Sequence, residues 1–304
     1  MYKSISEQVK ALIEFDGIKQ DSESVDFSQE SKLLKALSKL KLFTEAKSSA
    51  KLAKNLKFKS VTSYILYMSP ADLAYKALGR LGTLCPFASA GCKAVCLNTA
   101  GRGRFDSVSQ ARLRKALYYI VYKDYFMQHL FLEVSKLRRK VKRGVKLVIR
   151  LNGTTDINYL GYKINGLNIF ETFQDVQFYD YTKNLSYALK SKFYPNYHIT
   201  FSGSESNHKN VAQALDAGIN VAQVFKVLPL DYNGIKVING DEHDLRFLDE
   251  GQGIIIGLTA KGKAKKDTSG FVITAPCQRP KVISSASIRL LNFLNGKSLT
   301  NKGA

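Results

Sequence analysis

Long apolar runs are missing from this chain. None approaches the roughly 18 consecutive residues that a membrane-crossing helix needs, so no contact with a membrane is expected. The N-terminus, Met-Tyr-Lys-Ser-Ile-Ser-Glu-Gln, lacks the apolar core and small-residue cleavage site of a secretory signal. Cysteine is scarce, with four among 304 residues. In a protein that is not exported, grouped cysteines bind metal or do redox work more often than they form disulfides, which points to the cytoplasm. No Pro/Gly/Ser-rich linker divides the chain. Acid is also in short supply, 25 Asp and Glu against 46 Lys and Arg, for a net charge of +21.

The deficit of acid is local. Residues 1–50 carry eight basic and eight acidic groups, whereas residues 99–150 carry fourteen basic and three acidic ones. A concentrated positive stripe suits a polyanion such as nucleic acid. A basic face that only keeps the protein soluble is the plainer alternative.

Three of the four cysteines stand within twelve residues, at Cys85, Cys92 and Cys96, a C-x6-C-x3-C spacing. The flanking pattern gives this cluster a place. Residues 58–68 are rich in β-branched and aromatic side chains and read as a strand that Ser69-Pro70 ends. A short helix follows over 71–78, and Gly79 and Gly82 lead into the cysteines. Beyond them Gly101-Arg-Gly-Arg104 is flexible and basic. Asp106 or Ser107 can cap a helix that continues to about residue 122, and a second helix runs from about 124 to 142.

Short apolar runs at 146–151, 176–179, 198–201 and 220–225 then each end in polar residues, with helix-compatible segments between them. That alternation predicts βαβ units, and ligand sites in such folds lie at the carboxyl ends of the strands. Strand-like runs at 236–238, 253–258 and 271–274 follow with gaps too short for full crossover helices, so some should be antiparallel or extend an edge. Before the first strand, Leu33, Leu34, Ala36, Leu37, Leu40 and Phe43 share a helical face and lysines cover the other. The fold class expected is therefore α/β, a partial or irregular (β/α) barrel with an N-terminal helical extension. Its divisions are residues 1–56, 57–286 and a C-terminal helix and tail, 287–304.

Cys277 follows the last strand-like run, in Thr274-Ala-Pro-Cys277, which puts it on the same face as the other three. Four thiolates are the usual complement of a [4Fe–4S] cluster. Thiolates also suit zinc, but zinc sites commonly pair ligands more closely than this loop does. Three buried, unliganded cysteines remain a third possibility. The loop's place at the mouth of a βα array resembles the radical S-adenosylmethionine enzymes, although their usual spacing is C-x3-C-x2-C. A fourth iron bound by Cys277 makes the cluster redox or structural. An open iron would admit S-adenosylmethionine, which is not favoured because no glycine-rich segment follows the second strand.

A wider resemblance covers roughly residues 57–280. The loop from Cys85 to Arg104 with Ala111-Arg112, the segment Arg150-Leu-Asn-Gly-Thr-Thr-Asp156, and Val176-Gln-Phe-Tyr-Asp-Tyr-Thr-Lys183 together resemble the phage "gene product 88" family. So do Asp241-Glu-His-Asp-Leu-Arg246 and Gly257-Leu-Thr-Ala-Lys-Gly262. The resemblance implies a viral origin, a shared cluster-like loop and work in the host cytoplasm; it implies no reaction.

The remaining candidates follow from residue type and position. Arg150, Asn152, Asp156, Asp180 and Lys183 stand at or near strand ends and are candidate pocket residues. Asp241, His243 and Lys261 are further candidates, with Asp244 and Arg246 expected to form a structural ion pair. Arg102, Arg104 and Arg112 flank the cysteines and are candidate anion contacts. The readings carried forward are a [4Fe–4S] protein in a redox or structural role, a radical S-adenosylmethionine-like enzyme, and a zinc-stabilised nucleic-acid-binding module.

Overall fold

The computed structural model of the chain describes residues 9–10, 27–49, 52–99 and 101–274. Cys277 and the helix expected over 287–294 lie outside them.

The molecule is a mixed α/β fold built on a ten-stranded sheet. Its strands are β1 (Phe43–Glu45), β2 (Val61–Leu66), β3 (Lys146–Arg150), β4 (Gln177–Thr182), β5 (Tyr197–Ser202), β6 (Val221–Phe225), β7 (Asp231–Tyr232), β8 (Ile235–Asn239), β9 (Ile255–Thr259) and β10 (Val272–Ile273). The order is β1-β2-β3-β4-β5-β6-β9-β8-β7, with β10 on β6. From β2 to β6 every neighbour is parallel and consecutive in the chain. The outermost strands, β1 and β7, do not pair with each other, so strand pairing does not close the sheet into a barrel.

Period-two alternation gives the sheet two faces. Leu147, Ile149 and Phe178 join the main core, while Val148 and Tyr179 point the other way and pack on Leu245. Two helices between β2 and β3 cover the first face: α4 (Asp106–Val121) and α5 (Lys123–Lys140). The second buries Phe126, Leu130 and Val134 at helical spacing. The first starts from Phe105, which makes no side-chain cap, so Asp106 is its first residue and not its cap.

The N-terminal helix, α1 (Phe27–Leu37), buries Leu33 and Leu37 in the same core. It ends earlier than its apolar stripe suggests. Phe43 instead begins β1, antiparallel to β2, because strand pairing satisfies its backbone and still buries its ring.

The short gaps after Phe225 and Leu258 have two outcomes. The β7–β8 hairpin is antiparallel and forms the far edge. β9 nonetheless lies parallel to β6, since the hairpin and residues 240–254 carry the chain back without a crossover helix. β5 pairs with β6 only at Val221 and Ala222. At Val224 and Phe225 the same flank of β6 receives β10. The last described strand thus takes up the flank of β6 beyond the point where β5 stops pairing.

Across the inner face, Arg150 Nη1 donates to both Asp244 oxygens at 3.1 and 3.0 Å, and Tyr179 Oη donates to Asp244 at 2.9 Å. The Asp244 N–H donates to Asn55 Oδ1 at 2.9 Å. Residues after β8 are therefore bonded both to the middle of the sheet and to the segment before β2. The partner of Asp244 in its buried ion pair is Arg150, whereas its sequence neighbourhood suggested Arg246. Arg246 pairs with Asp249 at 3.3 Å and contacts His243.

Candidate functional site

The cysteine loop begins at the carboxyl end of β2. The stretch after that strand is joined to the loop after β3: Gly153 N–H donates to Leu66 O at 3.0 Å, Thr154 Oγ1 to Met68 O at 2.5 Å, and Asp156 N–H to Leu84 O at 2.9 Å. Cys85 is held in this seam. Its sulfur accepts from Ala71 N–H, just ahead of the short helix α2 (Leu73–Ala77), at 3.3 Å and donates to Thr154 O at 3.7 Å.

Cys92 lies in a five-residue helix, α3 (Ala90–Ala94), capped by Ser89, whose hydroxyl oxygen accepts from Cys92 N–H. Small polar residues favour that position because they satisfy an orphan helix N–H. Ser89 Oγ in turn donates to Glu205 Oε2, and Gly91 N–H to Glu205 Oε1, both at 2.8 Å. A Cβ at Gly91 would meet Ser269 Oγ at 2.3 Å and Phe271 Cβ at 2.9 Å, so glycine is required by the close approach of the last segment. Val95, next to Cys96, packs with Val272. The loop is thereby held by β5's tail and by the approach to β10.

All three described thiols are half-buried, and none forms a disulfide with another described cysteine. Burial pushes Cys85 up to about 12, and the charges of Asp156, Cys96 and Cys92 add to the shift. Cys96 is also raised, chiefly by burial and then by Cys92, against the Asn98 hydrogen bond and the positive charges of Lys183 and Arg112. The three sulfurs therefore share one electrostatic environment. Among the described residues, no three His, Cys, Asp or Glu side chains converge as ligands of a metal ion.

Several residues singled out from sequence gather beside the loop. Asp156 accepts from Thr182 Oγ1 at 2.6 Å and Lys183 N–H at 3.0 Å. Burial raises its pKa against those bonds and the Lys183 charge. Lys183 Nζ donates to Ser202 Oγ at 2.9 Å and lies 5.7 Å from the centre of the Phe271 ring. Arg112 Nη1 donates to Asn98 O and Oδ1, and its guanidinium sits 4.7 Å over the Tyr67 ring.

Others are placed elsewhere. Asp180 lies within β4, fully buried, accepting from Asn152 N–H at 2.7 Å and Tyr197 Oη at 3.2 Å. Burial lifts it to about 7, against the pull of Arg150. Asn152 Oδ1 accepts from Thr155 and Ile157, which fixes the turn after β3. Asp241 bonds Lys261 and Lys54 near the surface. His243 rests edge-on to Phe58. Arg102 and Arg104 donate to the carbonyls of Ser48 and Gly101. Sequence reasoning missed Glu205 and Ser89. Ser89 carried a local sign, a serine three residues ahead of a short helical segment's Cys92, whereas Glu205 was marked only by its place in the polar tail after the run at 198–201.

A family model described as gene product 88 matches residues 36–275. The chain belongs to the gene product 88 family. This is a family of phage gene products, and its span takes in the cysteine loop, both crossover helices and all ten strands. The match starts at residue 36, so it reaches into the amino-terminal part expected to fall outside it. In this gene product 88 protein Cys277 stands two residues past the end of the matched span. No curated protein and no solved structure was found to match the chain. Among the described residues no helix is long and apolar enough to cross a membrane.

Proposed function

We propose that this phage protein holds a [4Fe–4S] cluster at the carboxyl ends of its parallel strands and uses it for electron transfer or structural support in the host cytoplasm, where thiols stay reduced. Cys85, Cys92 and Cys96 would be ligands, with Cys277 the fourth. The observation that carries the reading is the grouping of three half-buried thiols from one loop, close enough that Cys92 and Cys96 act on the Cys85 thiol and Cys92 acts on Cys96. A cubane takes one thiolate at each iron, so its ligands stand apart, whereas a single zinc ion needs them to converge on one point. The wide C-x6-C-x3-C spacing of the loop, unlike the close ligand pairs common in zinc sites, favours the cluster over zinc. Lys183 and Arg112 add positive charge beside Cys96, which favours the thiolate form that a metal requires.

The case for Cys277 rests on chain length. Two residues separate it from Thr274, three steps of chain that span at most about 11 Å, and the strand ending beside Thr274 packs on the cysteine loop through Val272 and Val95. A closed fourth iron makes a redox or structural role the better reading than a radical enzyme. The side chain of Asn152 is engaged in holding its own turn, which leaves it unsuited to gripping a cofactor's amino-acid end. We read the sheet itself as a partial (β/α) barrel; the consecutive parallel order from β2 to β6 and the contacts of Asp244 with both Arg150 and Asn55 support this.

Purification without oxygen tests the proposal. About four irons and four sulfides per chain are expected, with a broad visible absorbance that Cys85→Ser or Cys96→Ser removes. A colourless protein containing zinc and no iron would overturn it. A Cys277→Ala variant with full iron and an unchanged spectrum would remove Cys277 from the ligand set.

A further inference from the structure

The fourteen basic residues between 99 and 150 do not act as one stripe. Those nearer the cysteines are engaged by the fold. Arg102 and Arg104 donate to backbone carbonyls, Arg112 to Asn98, and Lys115 Nζ to Leu42 O at 2.8 Å. Lys115 is so buried that its pKa is pushed down to about 8.

Past residue 132 the situation reverses. Between 133 and 146 stand seven basic residues and one acidic one, and all seven are exposed. Lys136 is paired with Glu133 at 3.3 Å, and Arg138 with Asp175 at 2.6 Å. Arg139, Lys140, Lys142 and Arg143 form no ion pair among the described residues. The chain reverses here through Gly144, at φ +80°, a backbone conformation that glycine adopts without strain. That turn, closed by Val145 N–H on Lys142 O, presents Lys142 and Arg143 outward. Between the end of α5 and the start of β3 lies a groove of about 220 Å³, lined by residues 141–147 with Arg138 and Asp175.

The groove is at the amino end of β3, whereas the cysteines lie beyond the carboxyl end of β2, its parallel neighbour. The two surfaces are on opposite ends of the sheet. Two features oppose anion binding: the groove borders a helix C-terminus, worth about half a negative charge, and Asp175, which Arg138 neutralises, is among its lining residues. Lys142 and Arg143 line the groove with no ion pair among the described residues, and with Lys146 beside them they outweigh the dipole. Some basic residues at a helix end serve only the helix dipole, but Lys142 and Arg143 stand beyond the last turn. Leu137, Val141 and Val145 are all half-buried, so the groove offers no exposed apolar side chain to insert into a lipid surface; the exposed Leu132 stands about two turns before the end of α5.

We propose that this groove binds the phosphate backbone of a nucleic acid without reading its bases. Arginine forks suit phosphate oxygens, and backbone contacts carry no sequence information. The test is binding of a labelled DNA duplex to the full chain over a salt series. Lys142→Ala with Arg143→Ala is expected to weaken binding about tenfold and to flatten the salt dependence by about two powers of concentration, near 0.9 for each lost phosphate contact. The comparison variant, Lys190→Ala with Lys209→Ala, removes the same charge from exposed positions elsewhere and should bind like the parent. Equal losses in both variants, no duplex binding at low salt, or anionic phospholipid vesicles alone responding to Lys142 and Arg143 would each overturn the proposal. Circular dichroism of both variants checks that the fold is kept. None of these outcomes depends on iron.

Discussion

Replacing Asp244 by asparagine removes the charge from a pair whose side chains are only 5% and 7% exposed. In the parent, both carboxylate oxygens accept from Arg150 Nη1, and one also accepts from Tyr179 Oη. An asparagine keeps one acceptor oxygen and turns an amide donor towards a guanidinium and a hydroxyl. Arg150 retains its bond to Asn152 O and its place 4.4 Å over the Tyr181 ring, but its charge is left buried and unmatched. Breaking a buried pair on one side costs about 3–5 kcal/mol. The surviving contacts put Asp244→Asn near the lower figure, a fall in melting temperature on the order of 6 °C. Urea denaturation followed by circular dichroism reads the loss directly. The triple variant Arg150→Met, Asp244→Leu, Tyr179→Phe removes both charges and the Tyr179 hydroxyl together, at the cost of the bond to Asn152 O, and should recover much of the stability. A single variant within about 1 kcal/mol of the parent would refute the reasoning, because it would mean that the segment after β8 does not seal the inner face over β3.

Three other outcomes follow from the same structure. Burial holds Asp180 protonated up to about 7, against an ordinary 3.8. The folded protein therefore keeps a proton that the unfolded chain has released, and stability falls as pH rises through that window. Asp180→Asn escapes the loss, so its stability relative to the parent should rise by a few kcal/mol between about pH 4 and pH 8; a constant difference across denaturation curves would count against a protonated Asp180. Gly91→Ala would force a methyl group against Ser269 and Phe271. A loss of about 1–3 kcal/mol is expected in urea denaturation, and parental stability would show that the cysteine loop and the last segment do not touch. Arg112→Lys keeps the charge but gives up the double contact to Asn98 and the stacking on Tyr67. It should cost about 1–3 kcal/mol in the same assay, and a neutral result would mean that charge alone matters there.

The strands were legible because alternation is a local property: every apolar run from 146 onward became a strand. The position of the cysteine loop followed from the strand before it. Pairing was much less visible. Asp244 finds Arg150 at 94 positions' separation, and nothing in either neighbourhood marks the other, so the nearer Arg246 looked like the partner. The early end of the first helix was hidden for a related reason. Phe43 fits a helical stripe and an edge strand equally well, and only pairing with Leu66 decides between them. The role of Glu205 was invisible because it is to accept from a helix end formed elsewhere in the chain. The basic residues show the same limit, since composition counts charges but does not say which ones the fold has already used.

The pairing of β10 with β6 sets an order of events. A chain emerging from the ribosome presents Cys85, Cys92 and Cys96 long before the residues that enclose them. Glu205 arrives 114 positions after Gly91, and Ser269, Phe271 and Val272 later still. Until then the loop has neither its carboxylate anchor nor its apolar cover, and its thiols stand open to any oxidant or passing metal. The enclosure is thus a late product of synthesis, and a chain cut short before β10 would make almost the whole sheet while leaving its cysteines unguarded.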